Sequence, residues 1–218
     1  MTAGPVDLVF DLDGTLSDNS SGIARSINHA LVQQGFAPRD ESTLHRFIGE
    51  PLDEIFAELT AAPGPQIRDC VAAYRDRYGE LGYGENRLYG GIAESLRRLW
   101  DAGIRMGVCT SKREDFASRI VTLFELDPYF DFVSGADVGI SKTTQLAGLL
   151  AQGLVRPETA YMIGDREIDI RAGRANGLRT VAVTWGFGAH AELSAAGADL
   201  SFDQPSQLYS LAELVRPA

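Results

Sequence analysis

The chain has 218 residues, with 20 Lys+Arg against 30 Asp+Glu and a formal charge of −10 at pH 7. That length allows one large domain, or a domain carrying a small insert, around a real core. The acidic balance argues against a nucleic-acid polymer as partner, which would need clustered Lys and Arg, but leaves room for a small phosphorylated metabolite. No apolar run approaches the roughly 18 residues that span a bilayer. The N-terminal residues 1–5 run into a strand pattern without a basic stretch and cleavage site. The expectation is therefore a cytoplasmic protein with no membrane partner, a monomer or weak homodimer. Cys70 and Cys109 are too few for a disulfide framework, and neither opens a Cys-x5-Arg loop, so both read as reduced, buried thiols. His29, His45 and His190 lie far apart and make no spaced metal motif.

In chain order, the run 6–10 predicts a first buried strand. Amphipathic helices follow at Ile23/Ile27/Leu31, at Leu52/Ile55/Phe56/Leu59 and at Ile67/Val71/Tyr74/Tyr78, punctuated by Pro38, Pro51 and Pro63-Gly64-Pro65. No strand pattern interrupts them. From there strand-like runs (105–109, 130–133, 160–163, 180–183 and a weaker 200–202) alternate with helix-period segments around Leu96, Ile120, Leu146 and Asp169. Short apolar runs of this kind suit strands buried on both faces, and the alternation predicts a doubly wound parallel α/β sheet. A helical block of that length is too long for one crossover. The expected domains are an α/β core of residues 1–16 and 85–218 and an inserted all-helical cap of residues 17–84. The tail 213–218 is expected to fray.

The chemistry gathers where strands end. The first strand runs into Asp11-Leu12-Asp13-Gly14-Thr15. Carboxylates two apart share a face if the chain is still extended, and their repulsion calls for a cation or a shared proton. Gly14 allows a sharp turn there. The second core strand ends in Thr110-Ser111, offering hydroxyls and loop amides. Lys142 opens the helix after the third, and the fourth ends in Gly164-Asp165-Arg166-Glu167-Ile168-Asp169, with Asp165 and Asp169 on one helix face. In open α/β sheets the site lies beyond the carboxyl ends of the strands, so these clusters converge. Oxygen ligands without His or Cys select Mg2+ over zinc. The string Gly186-Phe187-Gly188-Ala189-His190-Ala191 fits a dinucleotide fingerprint, but too little chain follows to build the rest of such a domain.

At these strand ends the sequence resembles the haloacid dehalogenase-like hydrolase superfamily. Asp11–Thr15 is similar to its first motif, Thr110 to its second, Lys142 to its third and the Gly164–Asp169 string to its fourth. The helical insert resembles the small cap of the phosphoglycolate phosphatase-like branch. Lys142-Thr143-Thr144-Gln145 departs from the Pro-x-Pro usual there. Together with 46–52 and 85–89 it looks more like the bacterial 5′-nucleotidase-like branch. The resemblance implies a Mg2+-dependent phosphatase acting on a small phosphomonoester, of the phosphoglycolate or nucleoside 5′-monophosphate type. It implies Asp11 as nucleophile, Asp13 as acid and base, and Thr110 and Lys142 as catalytic partners. Gly14, Thr110, Ser111 and Lys142 would bind phosphate, and Asp11, Asp13 (through its main-chain carbonyl), Asp165 and Asp169 would hold the metal. Arg46 and Glu50 in the cap are candidates for substrate contacts. A sugar-phosphate phosphomutase of the same fold and a catalytically silent regulatory binding protein are the alternatives.

Overall fold

The computed structural model describes residues 5–136, 140–157 and 159–215. The expectations for the first four residues, and for 216–218 of the tail, lie outside them. The chain divides into two units, Met1–Asp18 with Leu88–Ala218, and Asn19–Arg87. These boundaries fall two and three residues beyond the expected 17 and 84.

The strands, in chain order, are β1 (Leu8–Phe10), β2 (Ser17–Asp18), β3 (Arg87–Leu88), β4 (Met106–Thr110), β5 (Phe130–Gly135), β6 (Tyr161–Gly164), β7 (Arg179–Val183) and β8 (Leu200–Phe202). Six of them form one sheet in the order β5-β4-β1-β6-β7-β8, and its ladders are parallel throughout. β1 is thus central, paired with β4 on one side (Leu8 opposite Met106) and β6 on the other (Leu8 opposite Tyr161). The winding direction reverses at β1, which opens a crevice beyond its carboxyl end. β2 and β3 pair with each other as a two-stranded ribbon.

Helices α1 (Ser20–Gln33), α2 (Glu41–Leu44), α3 (Leu52–Thr60) and α4 (Gly64–Glu80) belong to the second unit. α5 (Ile92–Asp101), α6 (Glu114–Leu123), α7 (Lys142–Ala151), α8 (Glu167–Ala175), α9 (His190–Ala196) and α10 (Leu211–Val215) belong to the first. Val9, Cys109, Leu146, Leu149, Met162 and Ala172 form one cluster, joining β1, β4 and β6 to α7 and α8. Burying a Leu or Met side chain of this kind stabilises by about 1.5–3 kcal/mol, so the central strands are well anchored to α7 and α8. β5 differs from the expectation of burial on both faces: it is the sheet's edge and is half-exposed along most of its length. It compensates across the face, with the Phe132 ring filling the space above Gly107 that any side chain would occupy.

Within the helical unit, the apolar stripe of α4 stacks Tyr74 on Tyr78 and sets Phe56 of α3 edge-on to Tyr74. α1 approaches closely enough that a Cβ on Gly22 would lie 2.1 Å from the Gly82 carbonyl. α2 and the 3-10 turn His45–Phe47 that follows it carry too few residues to show a periodicity, and went unseen in the sequence. Asp40 starts α2 by accepting a 2.8 Å hydrogen bond from the Ser42 amide, which satisfies a free helix N–H.

Candidate active site

β1 stops at Phe10, so Asp11 and Asp13 sit just beyond its carboxyl end rather than within the strand. The Asp11 amide is still held to β6, donating to the Ile163 carbonyl at 2.9 Å. The turn that follows is set by Gly14, whose φ of +86° favours glycine. Its amide donates to the Ser17 carbonyl at 2.8 Å and is therefore not free to bind phosphate as expected. What Gly14 supplies is room: a Cβ there would lie 2.2 Å from Asp165 Oδ2.

The space left by that glycine admits Asp165, one of three buried carboxylates. Asp11, Asp165 and Asp169 each present a ligand atom within 4.8 Å of the others. Asp165 follows the last residue of β6, and Asp169 lies in the first turn of α8. Gly164, the last residue of β6, makes room for the latter, since a Cβ there would lie 2.2 Å from the Asp169 carboxylate. Lys142, the first residue of α7, brings the compensating charge. Its Nζ lies 2.9 Å from Asp11 Oδ1 and donates to Asp169 Oδ1, with 3% of its side chain exposed. The Asp11 contact is an ion pair whose angles fall outside hydrogen-bond geometry, so Asp11 Oδ1 is left without a hydrogen-bond donor.

The charge balance shows in the acidities. Burial, with Asp169 and Asp11 adding, pushes the Asp165 carboxyl up to about 7. Burial and Asp11 push Asp169 up to about 6, against the pull of Lys142. For Lys142 burial works against the charge, but Asp11 and Asp169 outweigh it and hold the ammonium protonated. Three buried carboxylates around one lysine are short of positive charge. An all-oxygen set with an undonated buried oxygen fits a hard divalent cation such as Mg2+. Both Asp169 oxygens are already engaged, Oδ1 by Lys142 and Oδ2 by the Arg166 amide at 3.0 Å.

The Asp13 side chain stands outside this trio. Its Oδ2 pairs with Lys112 Nζ at 2.8 Å, while Oδ1 is buried without a hydrogen-bond partner. Burial raises its carboxyl above the ordinary range, with Asp11 adding and Lys112 opposing. The role of Lys112 was not read from the sequence, although Thr110-Ser111-Lys112 places a cation two residues past a strand end that faces the site. Thr110 is buried at the end of β4, its hydroxyl accepting from the Lys112 amide at 3.3 Å, and Ser111 is exposed. Tyr89 also belongs here and was missed: burial and the Asp18, Asp165 and Asp13 carboxylates keep its phenol protonated.

Arg46 and Glu50 lie in the helical unit. Arg46 is exposed, pairs with Glu58 and stacks 4.4 Å over the Phe47 ring, where it lines an open groove of about 500 Å3 with Arg39 and Ser42. Glu50 is exposed, its amide donating to the Phe47 carbonyl. The two cysteines are buried and unbridged; burial pushes the Cys109 thiol up to about 12, which leaves it unreactive.

Fold and site together define an α/β protein with a buried cluster of aspartates at the carboxyl edge of a parallel sheet. The chain belongs to the haloacid dehalogenase-like hydrolase family, whose model matches residues 8–183. It is similar to the Tyrosine-protein kinase PtkA of Mycobacterium tuberculosis, 38% identical over 188 residues that cover 84% of this chain and 64% of that protein. The chain therefore spans less than two thirds of that relative's length. It is also similar to a 5′-nucleotidase of Pseudomonas aeruginosa, 35% identical over 192 residues and 87% of each chain. Among solved structures, a haloacid dehalogenase-like family hydrolase from Streptococcus pneumoniae superposes with a TM-score of 0.86, at 29% identity over 94% of this chain and 97% of the other. No helix among the described residues is long and apolar enough to cross a membrane.

Proposed function

We propose that the chain is a Mg2+-dependent phosphatase that hydrolyses a small phosphomonoester through a phosphorylated Asp11. The observation that carries this reading is the buried trio Asp11, Asp165 and Asp169 with Lys142 at the carboxyl end of the central strand. Asp11, the Asp13 main-chain carbonyl and Asp165 would hold Mg2+, with Asp169 supporting through water while its Oδ1 accepts from Lys142. When bound, the ion lets two anions approach each other and stabilises the charge on the equatorial phosphoryl oxygens.

Asp11 attacks phosphorus in line with the departing oxygen, forming the acyl phosphate as the P–O ester bond breaks. Asp13, protonated, gives its proton to the leaving alkoxide. Burial, which raises the pKa of this carboxyl, favours the protonated form that the step needs. As a carboxylate it then takes a proton from water, whose oxygen attacks the phosphorus and returns Asp11 with release of phosphate. Lys142, the Thr110 hydroxyl and the Ser111 amide would bind the remaining phosphoryl oxygens. Lys112 keeps Asp13 oriented through their 2.8 Å pair.

The expected substrate is of the nucleoside 5′-monophosphate or phosphoglycolate type, the former supported by the likeness to a 5′-nucleotidase. The protein should hydrolyse p-nitrophenyl phosphate with Mg2+ and not with EDTA. Asp11→Asn should lower the rate by roughly 10⁴-fold or more, as removal of a nucleophile does; a variant with wild-type turnover would refute the assignment. A second reading is favoured by the relative named a tyrosine kinase. Transfer of label from γ-labelled ATP to tyrosine, without net release of phosphate from monoesters, would select it.

A further inference from the structure

The glycine-bearing segment 185–188 after β7 has no place in the steps above, yet it closes directly on Asp165. We infer that this loop is a clamp that orients the Asp165 carboxylate for the metal, with Trp185 as a positioning residue. The inference rests on the reading of Asp165 as a metal ligand.

Four contacts carry it. The Phe187 amide donates to Asp165 Oδ2 at 2.8 Å. The other oxygen, Oδ1, accepts from the Thr15 hydroxyl at 3.0 Å. Thr15 is itself gripped, because the Trp185 indole Nε1–H donates to the Thr15 carbonyl at 3.0 Å. One loop therefore touches the carboxylate directly and through the motif turn, so that both oxygens are aimed by donors tied to it. The fourth contact is steric. A Cβ on Gly186 would lie 2.3 Å from the Gly14 carbonyl oxygen and 2.4 Å from the Asp165 side chain, and one on Gly188 would lie 1.8 Å from the Asp165 carbonyl oxygen. The Gly-x-Gly spacing that mimics a nucleotide fingerprint is thus explained by close approach of the loop to one aspartate.

The loop is fixed at both ends, as a clamp must be. Ala182 of β7 pairs with Gly164 of β6, which starts the loop beside Asp165. The Thr184 amide donates to the Phe202 carbonyl of β8 at 3.0 Å. At the far end, Glu192 of α9 accepts from the Glu167 amide at 2.9 Å and pairs with Arg166 at 3.1 Å, locking α9 to the start of α8. Partners that orient a metal ligand commonly change metal affinity by about 10–100-fold when removed.

The test is Trp185→Phe, which keeps an aromatic ring and deletes the indole N–H. Mg2+ affinity is measured by calorimetry on protein without substrate, together with the melting temperature in EDTA. The expected result is a roughly tenfold weaker affinity with little change in metal-free melting. The Mg2+ concentration giving half-maximal rate should rise by the same factor. Gly188→Ala, which presses on Asp165 from the backbone side, should weaken Mg2+ binding at least as much. Wild-type affinity in both variants would overturn the clamp while leaving the proposed function standing. So would an affinity loss matched by an equal loss of metal-free stability, since Trp185 would then be a packing residue. A wild-type protein that binds no Mg2+ would overturn both.

Discussion

Replacing Lys142 with Met keeps the length and the apolar stem of the side chain and deletes its charge. At 2.9 Å from Asp11 Oδ1, the attraction at an effective dielectric of 20 is about 6 kcal/mol. Desolvation of both ions offsets part of this, and removing one partner of a buried pair costs about 3–5 kcal/mol net. The side chains are 3% exposed for Lys142, 8% for Asp11 and none for Asp169, so solvent cannot screen the loss. For a chain of this size that is a fall in melting temperature on the order of 10 °C. The pH dependence follows from sign. Asp169 already titrates at about 6 with Lys142 pulling it down, so without the lysine it moves higher. At about pH 5 Asp169 is protonated in the variant and its share of the penalty is spared, whereas at about pH 7.5 that share is added. Millimolar Mg2+ should restore part of the loss at the higher pH. Urea unfolding in EDTA and in Mg2+, at both pH values, reads all of this. An equal loss at both, indifferent to Mg2+, would refute charge compensation and leave only lost packing.

Two further outcomes follow from the same geometry. The Asp165 carboxyl is raised to about 7, so the native metal-free protein binds a proton there that the unfolded chain has released above about pH 4. Its stability contribution is therefore lost as pH rises toward 7, and Mg2+, which must displace that proton, should bind more tightly over the same interval and level off above it. Calorimetric affinities that stay flat between about pH 5 and 8 would contradict this. Gly14→Ala adds a Cβ 2.2 Å from Asp165 Oδ2 at a φ of +86°. The backbone strain alone costs about 1–2 kcal/mol, and the displaced carboxylate should abolish the Mg2+-induced rise in melting temperature.

Much of this was legible because buried strands write themselves as short apolar runs. The runs at 105–109 and 160–163 mark β4 and β6 to within a residue, and the polar residues that follow them are those the sheet brings to the carboxylate cluster. The single-glycine turn after Asp13 likewise announces itself. What stayed hidden depends on residues brought together from far along the chain. Lys112, one of only two lysines in the chain, reads as a solvated charge past a strand end until the sheet sets β4 beside β1 and brings it to Asp13. Trp185 and Thr15 are 170 positions apart, and no local pattern links an indole to a carbonyl at that distance. The half-exposure of β5 is set by its place at the end of the sheet, which its own six residues cannot report. Gly14 showed that a turn was needed, but not that its amide would go to Ser17.

The central position of β1 has a consequence for assembly. Leu8 finds its partner in Met106, 98 positions later, and the intervening Asn19–Arg87 unit must be looped out before that ladder can close. Such long-range pairing is slow to form, so the strand that leads into Asp11, synthesised before the others of the sheet, is expected to be among the last to become rigid. The entropy of closing a loop grows only with the logarithm of its length, by about 0.6 kcal/mol for each doubling. Lengthening or exchanging the insert is therefore thermodynamically cheap, and the residues of the Asn19–Arg87 unit are free to diverge while the aspartate-bearing edge of the sheet keeps its geometry.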